Sequence, residues 1–453
     1  MRPRTFHLPL ALVVAAFAGC QHTSPPAESA APAVREVPLA EGWADSSVNA
    51  VIFRRNSLAS GGRWQFAGFY DGNGRLCLAR RERDALEWEV AVTQYSGRVQ
   101  DAHNAISLMV DGAGTLHVSW DHHGHQLNYA RSLEPYGLEL GAREPLTGHR
   151  EGRVTYPEFY ALPGGGLWFL YRDGGSGRGD LLAKTYDPGT RRWSDDPAVL
   201  VSGEGERNAY WQACVAPDGT RHLSWVWRET GNVATNHDLA YARSSDGGRT
   251  WTDSAGRALS MPITEATAEV AWPIPQQSEL INTTTMAVDR QGRPHIATYF
   301  RDGDDPVPQY QLISRGADGW TKRTLSERTT PFSLSGGGTK RIPISRCQLL
   351  IDPGLRQGSP ETAVATWAAL LFRDAERGSR ASALVCRDFP DGAWQPVDLS
   401  AESVGQWEPT YDTVRWDLYG EVDLFLQRVG QGDGETLEPL GPQPIAVLEW
   451  RPF

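Results

Sequence analysis

Short apolar runs with period-two alternation recur along this 453-residue chain, each broken by a glycine-bearing turn. Val110-Asp-Gly-Ala-Gly-Thr-Leu-His-Val-Ser-Trp120 returns as Ala216-Pro-Asp-Gly-Thr-Arg-His-Leu-Ser-Trp225, and again as Val288-Asp-Arg-Gln-Gly-Arg-Pro-His-Ile-Ala-Thr-Tyr299. Degenerate copies follow the turns at Asp71-Gly72, Gly164-Gly165, Asp352-Pro353 and Asp417. That makes about seven units, spaced roughly fifty to seventy residues apart. Each unit pairs an apolar strand, a turn and a second strand, often followed by a third such as Leu127 to Ser132 or Leu239 to Ser244. Such a unit cannot bury its apolar face alone and must stack on its neighbours, as the blades of a β-propeller do. No amphipathic helical period exceeds about three turns. The pattern predicts an all-β fold: one seven-bladed β-propeller domain over residues 37–453, with the apolar stretch 47–57 (Val48 to Phe53) closing the ring. Ser244-Ser-Asp-Gly-Gly-Arg-Thr-Trp251 has the form of an Asp-box turn, which marks the outer part of a blade and carries no chemistry.

Composition agrees with this reading. Gly 47, Pro 30 and Trp 17 against Met 4 suit a turn-rich, aromatic-rich sheet protein better than a helical one. The first residues read as an export signal: Arg2 and Arg4 precede the apolar run Leu8 to Phe17, which ends in Ala18-Gly19-Cys20. That ending resembles a lipobox, so Cys20 is the expected lipidation site after removal of residues 1–20. Gln21 after the cysteine favours the outer membrane of a Gram-negative bacterium, and residues 21–36, rich in Ser, Pro and Ala, would form a flexible tether. Cys77, Cys214, Cys347 and Cys386 lack metal-binding spacing and are expected as buried small hydrophobes. A net charge of −11 argues against nucleic acid as a partner.

In an antiparallel hairpin the start of the first strand and the end of the second share one edge. Applied blade by blade, this pairs His103 with His123 in blade 2, Tyr156 with Arg172 in blade 3, Tyr210 with Arg228, Asn282 with Arg301, and Arg346 with Arg373. Tyr171-Arg-Asp173, Trp227-Arg-Glu229, Phe300-Arg-Asp302 and Phe372-Arg-Asp374 share the form aromatic, Arg, acid. They predict a ring of guanidinium groups around one mouth, suited to carboxylates and sulfates. Ion pairs stapling adjacent blades would leave the same pattern. His117, His222 and His295 recur at one repeat position and read as structural, as does His237, whereas His103 and His123 do not recur.

Two imidazoles, a phenol and a guanidinium without an obvious carboxylate pair suit elimination better than glycoside hydrolysis. A cation must neutralise the uronate carboxylate, a base must take the C5 proton and an acid must protonate the departing O4. Asp101-Ala-His-Asn104, Trp120-Asp-His-His123, Val154-Thr-Tyr-Pro157 and Tyr171-Arg-Asp-Gly-Gly-Ser-Gly177 resemble the BNR-repeat polysaccharide lyases, which include ulvan lyases and related rhamnose-glucuronate lyases. The resemblance implies a seven-bladed propeller that cleaves a uronate-containing polysaccharide by β-elimination. It implies His103 and Tyr156 as the base and acid pair in either order, Arg172 on the carboxylate and His123 assisting. Asn104, Tyr210, Arg228, Asn282, Arg301 and Arg373 are expected to bind substrate. No cofactor is called for, no metal ligand is assigned, and the expected partner is the acidic polysaccharide met by a monomer. A non-catalytic glycan-binding propeller and a sialidase-like hydrolase are the rival readings.

Overall fold

In a computed structural model that describes residues 33–53, 55–195, 199–283, 285–352 and 366–452, seven antiparallel sheets stand around a common axis. Blades 1, 4, 5 and 6 are four-stranded meanders in chain order. Their second strands are the most deeply buried. Arg221–Arg228 is buried at every residue, whereas the outer strand Glu89–Ser96 of blade 1 alternates between exposed and half-buried. Burial thus falls outward, as expected where inner strands touch both neighbouring blades and outer strands touch water.

The recurring histidines explain the recurring turns. Asp111 accepts backbone N–H groups of Ala113 and Thr115 across its turn and meets His117 Nε2 at 3.2 Å, while His117 Nδ1 faces the Tyr129 hydroxyl at 2.6 Å. Asp289 and His295 repeat the arrangement, and His222 faces Tyr241 at 2.7 Å. Each pair locks a hairpin from within. In the Asp-box, Asp246 accepts from the Thr250 backbone and hydroxyl, and Trp251 is 1% exposed beneath it.

Three expectations are corrected. The ring is closed by Ala33–Gly42, which pairs with Gln443–Arg451 as the outermost strand of blade 7. The strand therefore starts inside the stretch expected to be tether. Residues 47–57 do not form that strand. Ala50, Val51, Ile52 and Phe53 are at most 3% exposed and pack into the central channel, where Val51, Ile52 and Phe53 join the core that holds Tyr156, Tyr210 and Trp211. An all-apolar run has no wet side to give an outer strand, so it fills the axis. Asp417 lies in the one α-helix among the described residues, Thr413–Tyr419, rather than at a hairpin turn. Cys20 and the signal lie outside the described residues.

Candidate active site

The cleft at the channel mouth is built from strand ends. In blade 3 the inner strand Val154–Ala161 opens with a bulge between Thr155 and Glu158, and Tyr156 takes φ +57°. The following proline excludes ordinary helical backbone at Tyr156, and the bulge re-aims its side chain into the mouth. Arg172 stands opposite Thr155 on the second strand. A Cβ at Gly179 would meet Arg172 Cγ at 3.0 Å, so this glycine gives the guanidinium stem room to lie flat. His123 does not continue the second strand of blade 2, which ends at Trp120. His123–His125 instead pairs with the start of Val154–Ala161 as a fifth, innermost strand of blade 3.

A cleft of about 530 Å³ gathers His103, His123, Tyr156, Arg172, Tyr210 and Arg228, with Asn282 and Ser176 beside them. Asp101 bridges the histidines: His103 Nδ1–H donates to one carboxylate oxygen at 2.7 Å and His123 Nδ1–H to the other at 2.6 Å. The imidazoles stack with centroids 4.0 Å apart and 10° between planes, and Phe53 stacks on the far face of His103 at 5.0 Å. Glu435, on the long loop of blade 7, reaches within 3.2 Å of His103 Nδ1. Burial alone would discharge His103, but Asp101 and Glu435 overcome it and raise its pKa to about 9. Burial likewise opposes ionisation of Asp101, yet the two imidazoles hold it well below the usual carboxylate range.

Across the cleft stands a pair of phenols. Tyr156 lies between the His103 ring, 5.7 Å away, and the Tyr210 ring, 5.8 Å away. Arg172 and Arg228 each donate from Nη1 to the Tyr210 hydroxyl at 3.2 Å, and the Ser176 hydroxyl meets it at 3.0 Å. Burial would raise the Tyr210 pKa, but the two guanidinium groups prevail and bring it down to about 7. Tyr156 goes the other way, pushed well above 10 by burial and by its neighbour's charge. Arg228 Nη2 also donates to Asn282 Oδ1 at 2.8 Å, while Arg172 Nη2 has no partner among the described residues. Such a site can hold an anion, supply a proton from an imidazolium and accept one on a phenolate.

Asn104, Arg301 and Arg373 do not join the cleft. Asn104 turns its amide to the Arg98 carbonyl at 2.9 Å. Arg301 donates to the Gln277 carbonyl at 2.9 Å. Arg373 is fully buried and spends Nε, Nη1 and Nη2 on the carbonyls of Trp407, Pro343 and Ile342. A strap, residues 335–341, borders the cleft through Gly338, Thr339 and Lys340. It is tied to blade 4 where Gly336 exchanges hydrogen bonds with Val233 and Asn232, and to blade 7 where Gly434 N–H donates to Thr339. Arg373→Ala is therefore expected to destabilise the fold by roughly 3 kcal/mol, three carbonyls losing a charged donor, and to leave KM unchanged. Denaturant unfolding and initial rates check this; a raised KM with unaltered stability would return Arg373 to the substrate.

Sequence reasoning missed Asp101, Glu435, Phe53, Thr339 and Lys340. Only Asp101 carried a signal, two residues before His103. The ligand atoms of Asp101, His103 and His123 lie close enough to hold a metal ion, as do those of Glu229, His237 and Glu265. In the second group Arg207 already stands between the carboxylates, 3.0 Å from Glu229 and 3.1 Å from Glu265, and supplies the countercharge.

The sequence profile of the BNR repeat-containing family matches residues 64–328, more than half of the chain. The chain belongs to that family. This BNR-repeat protein is 22% identical over 279 residues to an ulvan lyase of Pseudoalteromonas sp. (strain PLSV), a match covering 49% of the chain and 55% of that relative. Among solved structures it resembles the polysaccharide lyase Uly1, with TM-score 0.67 and 14% identity over 93% of this chain and all of the other. A PL25 ulvan lyase bound to -[GlcA(1-4)Rha3S]- superposes with TM-score 0.62 and 11% identity, over 90% of this chain and 95% of the other. At these identities the structural likeness supports the propeller fold of the BNR-repeat protein.

Proposed function

We propose that this protein is a polysaccharide lyase that cleaves a uronate-containing polysaccharide by β-elimination, on a rhamnose-glucuronate or rhamnose-iduronate polymer of the ulvan kind. The observation that carries the reading is the opposition of two Asp101-bridged imidazoles to two phenols set between Arg172 and Arg228. Arg172 receives the uronate carboxylate on its free Nη2, which stabilises the charge that develops when C5 loses its proton. Above about pH 7 Tyr210 is the phenolate. Tyr156 passes its hydroxyl proton to Tyr210 as it accepts the C5 proton, and His103, an imidazolium with Nε2 free of protein partners, protonates the departing O4. His123 keeps Asp101 aligned and contacts the sugar. The proposal extends to place: export and a lipid anchor at Cys20.

Elimination creates a conjugated unsaturated uronate, so near-ultraviolet absorbance should rise when the protein meets ulvan or a related polymer. Tight binding of several such polymers with no chromophore would leave a glycan-binding propeller instead. The pH dependence follows from the two displaced groups. The base must be deprotonated and the acid protonated, so kcat/KM should climb through about pH 7 with Tyr210 and fall through about pH 9 with His103. Tyr210→Phe should remove the lower limb. A flat profile across both values counts against these roles.

A further inference from the structure

The outer wall where blades 2 and 3 meet carries a second groove, of about 570 Å³, lined by Arg131, Glu144, Leu146, Arg191, Arg192 and Trp193. Its lining holds three arginines against one glutamate. Arg131 gives its fork to Glu144, from Nε at 2.5 Å and Nη2 at 2.9 Å, so that pair is neutral. Arg191 and Arg192 are exposed and enter no ion pair among the described residues. On a chain of net charge −11, two adjacent unpaired guanidinium groups form a local anion site.

The groove is also rigid. Trp193 is half-buried, donates from Nε1 to the Tyr129 hydroxyl at 3.1 Å and packs against Tyr186 with centroids 5.1 Å apart. The turn that presents the arginines is fixed by Asp187, which accepts from Gly189 N–H at 2.8 Å and from the Thr190 hydroxyl at 3.1 Å. Arg191 sits at φ +57° within that turn. A fixed indole beside planar cationic forks matches a sugar ring that carries carboxylate or sulfate groups.

The groove lies away from the cleft. Arg192 pairs with Asp187, at the opposite end of the strand Arg178–Asp187 from the turn that holds Ser176. We propose that it is a second, non-catalytic glycan site that grips an acidic polysaccharide through Arg191 and Arg192, with a sugar against Trp193. Holding the polymer there raises its effective concentration at the mouth. The inference rests on the proposed substrate class and not on the reaction.

Affinity electrophoresis through gels containing dextran sulfate or polyglucuronate, with neutral dextran as control, tests it. Wild-type protein and Arg172→Ala should both be retarded by the acidic gels, while Arg191→Ala/Arg192→Ala should bind about tenfold more weakly. The double variant should keep wild-type turnover on short oligosaccharides. Retardation of the double variant equal to wild type, or retardation lost in Arg172→Ala, overturns the second site and leaves the lyase reading standing. Arg191/Arg192-dependent retardation without any unsaturated product supports the groove and removes the lyase. Sedimentation with anionic phospholipid vesicles that needs these arginines, alongside unchanged gel retardation, would make the groove a lipid site and end the proposal.

Discussion

Arg172→Ala should lower kcat/KM on a uronate polymer by about a thousandfold, the range expected when a preorganised donor to a developing anion is removed from a dry site. Two losses combine. The carboxylate contact made before and during proton removal disappears, so KM rises as kcat falls. Tyr210 also loses one of the two cations that keep its hydroxyl acidic, so the limb near pH 7 should move upward. Arg172→Lys separates these effects. A lysine restores the charge beside Tyr210, and with it much of the limb, but cannot present a planar fork to a carboxylate and should remain well below wild type. Initial rates from the absorbance of the unsaturated product, measured across pH, decide the matter. Unimpaired turnover in Arg172→Ala would remove the assigned role.

His103→Ala should reduce kcat by about a hundredfold or more and leave KM largely unchanged, since the imidazole is used chiefly after the carboxylate is bound. The diagnostic readout is the alkaline limb. The imidazolium that titrates at about 9 is absent from the variant, so the fall in kcat/KM through that pH should vanish. A merely structural contribution, such as support for the stacked His123 or for Phe53, would lower the rate without erasing that limb. A variant that retains the limb would assign it to another group.

The chemistry of blades 2 to 4 was legible because it sits at strand ends that the repeat brings to one mouth. Histidines that no other unit repeats, His103 and His123, and a Tyr-Pro step at a strand entrance are visible without coordinates. The electrostatic partners were not. Glu435 lies over 330 residues from His103 in the chain and reaches it from an irregular loop of blade 7, which no periodicity marks. Repeat reasoning also overreached. It treated the aromatic-Arg-acid motif as equivalent in blades 3 to 6, yet Arg301 turns to the Gln277 carbonyl and Arg373 to the carbonyls of Trp407, Pro343 and Ile342. Residues 47–57 misled for a related reason. Apolar character predicts burial, but an axial plug and a strand buried on both faces are equally apolar.

The closing strand has a directional consequence. Second strands rise toward the mouth, so Val422–Gln427 ends there, its partner Gln443–Arg451 descends, and Ala33–Gly42 climbs again from the back of the disc, with Ala33 beside Arg451. Ala33, the first described residue, therefore stands at the face opposite the cleft. The lipid proposed on Cys20 would therefore join the propeller through a strand whose far end, Gly42, reaches the mouth and whose near end does not.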